Sequence, residues 1–178
     1  MIRPFLSLFV LLFAAAASVG ARAGEPQVAW PQGWTVEALP SGASASTPAP
    51  TTQRQRATKS DPAGNAVMVM ELTTTTVEPD HQVNLQGVLL EMRKSIQKDF
   101  FQGGYQSVCN KIHESVLGGA TALETTCTIT QNGRHVLSQT LVAALNDGKA
   151  YVLSYAGQAQ VYVDSQDEIQ SVRNSLKL

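Results

Sequence analysis

Two cysteines, three histidines and a Met-x-Met step are the side chains of this 178-residue chain with the most chemistry to offer. Cys109 and Cys127 lack the Cys-x-x-Cys spacing of a redox or metal-binding pair. They stand nearly equidistant from Gly118-Gly119, so a hairpin turning there would join them as a disulfide. The loop so closed is short, and in the chain-entropy model the bond contributes roughly 3 kcal/mol. His81, His113 and His135 match no zinc-ligand spacing. Met68 and Met70 point two sulfurs the same way, which suits copper, yet Leu72 continues the same alternation, as a core face requires. The serines at 41–46 contain no Gly-x-Ser-x-Gly elbow. Glu71, Asp80 and Glu124 fall near sheet positions without a spacing that makes them an acid–base dyad. No glycine motif cradles a phosphate. These residues predict no enzyme, no cofactor and no metal centre.

The elements that must position these side chains can be read from periodicity. Thr35 to Pro40 alternates as a short first strand. Gln53 to Lys59 reads as a polar, edge-like second strand, with Arg54, Arg56 and Lys59 blunting the edge. Asp61 to Asn65 turns the chain into Ala66–Thr75, apolar on both faces through its first half and therefore central. One long helix follows, with Leu85, Val88, Leu89, Met92, Ile96 and Phe100 on a 3.6-residue stripe and Gly103-Gly104 ending it. Three turn signals, Gly118-Gly119, Asn132-Gly133 and Asn146-Asp147-Gly148, then divide Tyr105–Gly157 into a four-stranded meander.

Register inside the meander follows from the turns. A two-residue loop at Asn132-Gly133 pairs Thr130 with His135 and Cys127 with Ser138. For Cys109 to oppose Cys127, the Gly-Gly turn must be a three-residue loop that includes Leu117, the preferred reading, or a bulge must shift the register by one. Tyr151, Leu153 and Tyr155 share one face. Ser165 with Glu168 three residues on forms a capping box for a C-terminal helix with the stripe Ile169, Val172 and Leu176. The expected fold is α+β: an antiparallel sheet of six to seven strands with a long helix and a C-terminal helix packed on it.

Composition sets the compartment and excludes partners. Arg3, the apolar run Phe5–Ala17 and Ala21-Arg22-Ala23 predict a signal peptide over 1–23, cleaved before a single domain at 24–178. No comparable apolar run follows, so no membrane span is expected. The Ser, Ala, Thr and Pro residues of 41–52 predict a flexible loop. Without Arg3 and Arg22 the chain has 11 basic against 14 acidic side chains, a net charge of about −3, too little to favour nucleic acid. An exported chain with an even cysteine count is expected in the periplasm or medium, with its disulfide formed.

The opening Gly33-Trp34-Thr35-Val36-Glu37-Ala38-Leu39-Pro40 and the ending, Gly148-Lys149-Ala150-Tyr151-Val152-Leu153-Ser154-Tyr155-Ala156 before a helix closing on Ser175-Leu176-Lys177-Leu178, carry a resemblance. With this order of elements the chain resembles the PsbP/Mog1-like superfamily, which includes DcrB, within a narrower group of exported bacterial proteins. The resemblance implies a non-catalytic accessory protein and carries over no active-site residue. The expectation is a periplasmic protein that docks an envelope or secreted protein through Phe101, Tyr151 and Tyr155. The alternative is a binder of a small hydrophobic ligand, in a pocket between the long helix and the sheet lined by Met68, Met70, Met92 and Phe100.

Overall fold

A computed structural model describes residues 27–40 and 51–178. The signal peptide expected at 1–23 and most of the loop expected at 41–52 lie outside the described residues; Thr52 already begins a strand. In chain order the elements are β1 (Thr35–Leu39), β2 (Thr52–Ser60), β3 (Ala66–Thr76), α1 (Leu85–Gln102), β4 (Gln106–Cys109), β5 (His113–Leu117), β6 (Ala120–Gln131), β7 (Arg134–Asn146), β8 (Lys149–Gln158), α2 (Ala159–Asp164) and α3 (Gln166–Ser175). The eight strands form one antiparallel sheet in the order β1-β2-β3-β8-β7-β6-β4, and β5 pairs a further stretch of β6.

Eight strands replace the expected six to seven because the first strand of the meander is broken. β5 returns to β6 through a two-residue turn that pairs Leu117 with Ala120, so Leu117 is not part of the loop. The register shift lies at residues 110–112 instead, between the β5 pairing and the Cys109–Cys127 pairing of β4. Asn110 holds that break: its Oδ1 accepts from the Thr126 amide at 2.8 Å and its carbonyl accepts from Thr125 Oγ1 at 3.0 Å. A second irregularity, at Ile129/Thr130, preserves the Thr130–His135 pair but sets Cys127 opposite Gln139 rather than Ser138.

Pleating sorts the side chains onto two faces. Met68, Met70 and Leu72 of β3, Tyr151, Leu153 and Tyr155 of β8, and Val142 and Ala144 of β7 are buried together with Ile169, Val172 and Leu176. This is the main core, beneath α2 and α3. Gly118 sits at its rim with φ of 57°, and a Cβ there would lie 2.6 Å from the Leu176 carbonyl oxygen, so glycine is required on two counts. The opposite face meets α1 in a smaller cluster, where Leu89, Leu141 and Ala143 are fully buried and Leu85, Met92 and Ile96 only partly.

Two further expectations are corrected. β2 is interior, between β1 and β3, so its charges do not blunt an edge. Arg54 and Arg56 bind Glu71, and Lys59 binds Glu168 at 2.6 Å while lying 5.6 Å from the Trp34 ring centre. Ser165 makes no side-chain capping bond to α3 and instead accepts from Lys59 Nζ at 3.1 Å.

Candidate functional site

α1 contacts β4, β6 and β7, so among the described residues no helix covers its face of the sheet across much of β8, β3, β2 and β1. The segment joining β3 to α1 folds over the boundary between the covered and bare halves. Val77 donates its amide to the Gly148 carbonyl at 2.8 Å, tying the segment to the β7–β8 turn, and the His81 amide closes a turn on the Glu78 carbonyl at 3.0 Å. Asn84 then caps α1, its Oδ1 accepting from the Gly87 amide at 3.0 Å. Val83 and Val88 thereby take the two positions of a hydrophobic staple around the cap.

A cleft of about 430 Å³ opens beneath this segment. Thr73 and Thr75 of β3 with Ala150 and Val152 of β8 make the floor, Val77, Val83 and Val88 the walls, and Thr76, Glu78 and His81 the rim. A more polar cleft of about 390 Å³ adjoins it, sharing Val77, Glu78, His81 and Val83 and reaching Asn146, Asp147 and Lys149. On the bare half of the sheet Glu37, Arg56, Val69, Glu71 and Ser154 surround a third hollow, of about 440 Å³. There both oxygens of Glu71 are engaged, one by Arg54 Nε and Nη2 at 2.9 and 2.6 Å, the other by Arg56 Nη2 at 3.1 Å. A carboxylate so clamped is a structural tie between β2 and β3.

The other polar cluster lies under α3. Arg173 Nη2 meets Glu124 Oε2 at 2.9 Å and Ser115 Oγ at 2.7 Å, and Arg173 Nη1 donates to the Tyr155 hydroxyl at 3.1 Å. Tyr162 stacks on Tyr155 and its hydroxyl lies 2.6 Å from Thr140 Oγ1. Burial pushes the phenols of Tyr155 and Tyr162 above their ordinary range. This network pins α2 and α3 to the sheet.

The residues singled out from sequence do not converge. Cys109 and Cys127 are joined as a disulfide with Cα atoms 3.8 Å apart, linking β4 to β6. Tyr151 and Tyr155 are each 3% exposed, so they belong to the core and cannot form the docking surface expected of them. Phe101 is 78% exposed at the far end of α1, about 20 Å of helix from Val88. The pocket expected from Met68, Met70, Met92 and Phe100 is divided by the sheet: the first two are buried beneath α2 and α3, Met92 packs on the α1 cluster, and Phe100 meets Tyr105 edge-on. A cleft between the long helix and the sheet does exist, but loop 77–83 and the first turn of α1 build it. Among the described residues no group of three or more His, Cys, Asp or Glu side chains could hold a metal ion.

Residues 25–178 match a family model described as a domain of unknown function, DUF4946. No curated protein matches the chain in sequence. Among solved structures, the chain is similar to cyanobacterial PsbP (CyanoP) from Synechocystis sp. PCC 6803, at 11% identity and a TM-score of 0.58, covering 93% of this chain and 98% of that one. LpqN, involved in cell envelope biogenesis of Mycobacterium tuberculosis, aligns at 19% identity and a TM-score of 0.48 over 87% of this chain and 84% of that one; at that score the likeness carries no argument. The likeness to CyanoP is one of fold, and the chain has the PsbP-like α+β architecture.

Proposed function

We propose that this chain, which belongs to the DUF4946 family of unknown function, is an exported, non-catalytic accessory protein that works by binding an apolar group in the cleft beneath residues 77–83. The observation that carries the reading is the cleft itself. Its volume is that of a small-molecule pocket, its floor and walls are Thr, Ala and Val, and among the described residues Glu78 and His81 on the rim are its only ionisable lining groups. Such a lining can desolvate a ligand and offers little to move a proton. The PsbP-like fold supports an accessory role by analogy. Export is supported by the disulfide, a bond that persists in oxidising compartments.

An apolar fluorophore such as anilinonaphthalene sulfonate tests this reading on the folded, oxidised protein. Saturable binding at one site, lost in Val88→Asp with the circular dichroism spectrum unchanged, is the expected result. Absence of binding, or binding indifferent to Val88, overturns it.

A second reading rests on Phe101. A side chain this large and this exposed at a helix end is a candidate anchor for an envelope or secreted protein partner. If it is one, Phe101→Ser abolishes a specific cross-link made in the native compartment and leaves fluorophore binding intact.

A further inference from the structure

The composition of the cleft narrows what it can hold. Seven of its ten described lining residues are the β-branched Val77, Val83, Val88 and Val152 with Thr73, Thr75 and Thr76. Such side chains are stiff at χ1, so the walls cannot fold away to admit a broad group. Among the described lining residues the one aromatic ring is the His81 imidazole at the rim and there is no guanidinium, so the floor and walls present nothing on which a flat ligand would stack. The Thr75 hydroxyl is already paired with Thr52 Oγ1 at 3.3 Å, with either oxygen able to donate. What remains is stiff apolar surface with few directional contacts, which favours a slim chain over a ring system.

The adjoining cleft decides the other end of the ligand. It begins at the shared residues Val77, Glu78, His81 and Val83 and becomes polar toward Asn146, Asp147 and Lys149. Its carboxylates, Glu78 and Asp147, outnumber its one lysine, so an anionic head would gain no net attraction there. Hydroxyl heads suit it: Asn146, Asp147 and Glu78 supply hydrogen-bond acceptors, and the Asn146 amide supplies a donor.

We propose that the two clefts form one elongated site for a single-chain amphiphile with an uncharged, hydroxyl-bearing head. Its aliphatic tail lies between the first turn of α1 and the β3–β8 floor, and its head lies along the Glu78–Asp147 side. This deepens the apolar-cleft reading above and rests on it.

The test is a titration of the folded, oxidised protein with straight-chain primary alcohols, hexanol through decanol, followed by the methyl resonances of Val83, Val88 and Val152. Each added methylene tightens Kd by about fourfold until the slot is filled, with intermolecular nuclear Overhauser effects from chain to those methyls. Decanoate, with a carboxylate in place of the hydroxyl, binds more weakly than decanol despite its similar tail. Glu78→Gln narrows that gap, and because Glu78 is exposed the variant folds as the parent does. A Kd indifferent to chain length overturns the proposal, as do contacts that fall on Phe101 or decanoate binding tighter than decanol. If the alcohols fail while the fluorophore still binds in a Val88-dependent way, only the amphiphile assignment falls. If both fail, the apolar-cleft reading falls with it. Displacement of the fluorophore by an extended apolar peptide and by no alcohol would assign the cleft to a protein partner instead.

Discussion

The two faces of the sheet bury comparable kinds of side chain to different depths. Beneath α2 and α3, Met68, Met70, Leu72, Leu153 and Val142 are at most 1% exposed, and a buried network from Glu124 through Arg173 to Tyr155 holds the helices in place. Beneath α1, Leu89 is the helix's one fully buried residue, and among the described residues the helix lies over β4, β6 and β7. The longest helix therefore lies on the lighter core, while two short helices close the heavier one. Depth of burial separates the part of the molecule that keeps the fold from the part that has room to bind.

Substitutions on the two faces should separate accordingly. Leu153→Ala is expected to destabilise by about 3–5 kcal/mol in denaturant unfolding, and Met92→Ala, half-buried under α1, by about 1. Glu124→Ala falls near the top of the same range, because it strands Arg173, whose side chain is 11% exposed, beneath α3. Equal effects of Leu153→Ala and Met92→Ala would erase the contrast. Replacing both cysteines with alanine costs roughly 3 kcal/mol, since the disulfide ties the short β4 to β6.

The heavier face should also dominate the pH dependence. Burial, chiefly, raises the pKa of Tyr155 in the folded state. A raised folded value means that its contribution is complete below the unfolded pKa near 10 and is lost as pH climbs above it. Alkaline unfolding should therefore begin above about pH 10, and Tyr155→Phe should move the onset upward. On the acid side, burial works to raise the Glu168 carboxyl, but hydrogen bonds from Lys59 and Trp34 outweigh it and hold the group below its ordinary value. That contribution is present above about pH 4.3 and fades as pH falls from there through the lower folded value, loosening α3 first. Lys59→Met should weaken this acid dependence. The smallest effect belongs to the exposed Lys94–Glu91 pair on α1, where Lys94→Ala should change stability by less than about 0.5 kcal/mol.

Much of this contrast could be read from the residues, though not its assignment to helices. The alternation Met68, Met70, Leu72 against Tyr151, Leu153, Tyr155 put the right side chains on common faces. Nothing in that alternation says which helix covers which face, because Val67 and Val69 make the other side of β3 apolar as well. The missing observation was α2: Ala-Gln-Val-Tyr-Val-Asp is rich in β-branched and aromatic residues that favour strand, and it turns helical while placing Val161 and Tyr162 on the core. The register break at 110–112 was hidden for a related reason. It contains neither Gly nor Pro, and is held by Asn110 reaching Thr126 across the sheet.

The cleft was missed because its lining combines the run 73–88, which changes from strand to turn to helix, with the distant 150–152 of β8. A local sign was available all the same. Val83, Asn84 and Val88 form an N-cap with its staple, which marks where α1 begins and so places Val88, its one valine, near the β3–α1 connection.

Native-state amide hydrogen exchange on the oxidised protein tests the division between the two faces most directly. If it is right, amides of residues 77–84 and of α1 exchange through openings well below the global unfolding free energy, while those of β3, β8 and α3 reach it. Protection of α1 equal to that of α3 would contradict the account, since both faces would then belong to one uniformly stable core.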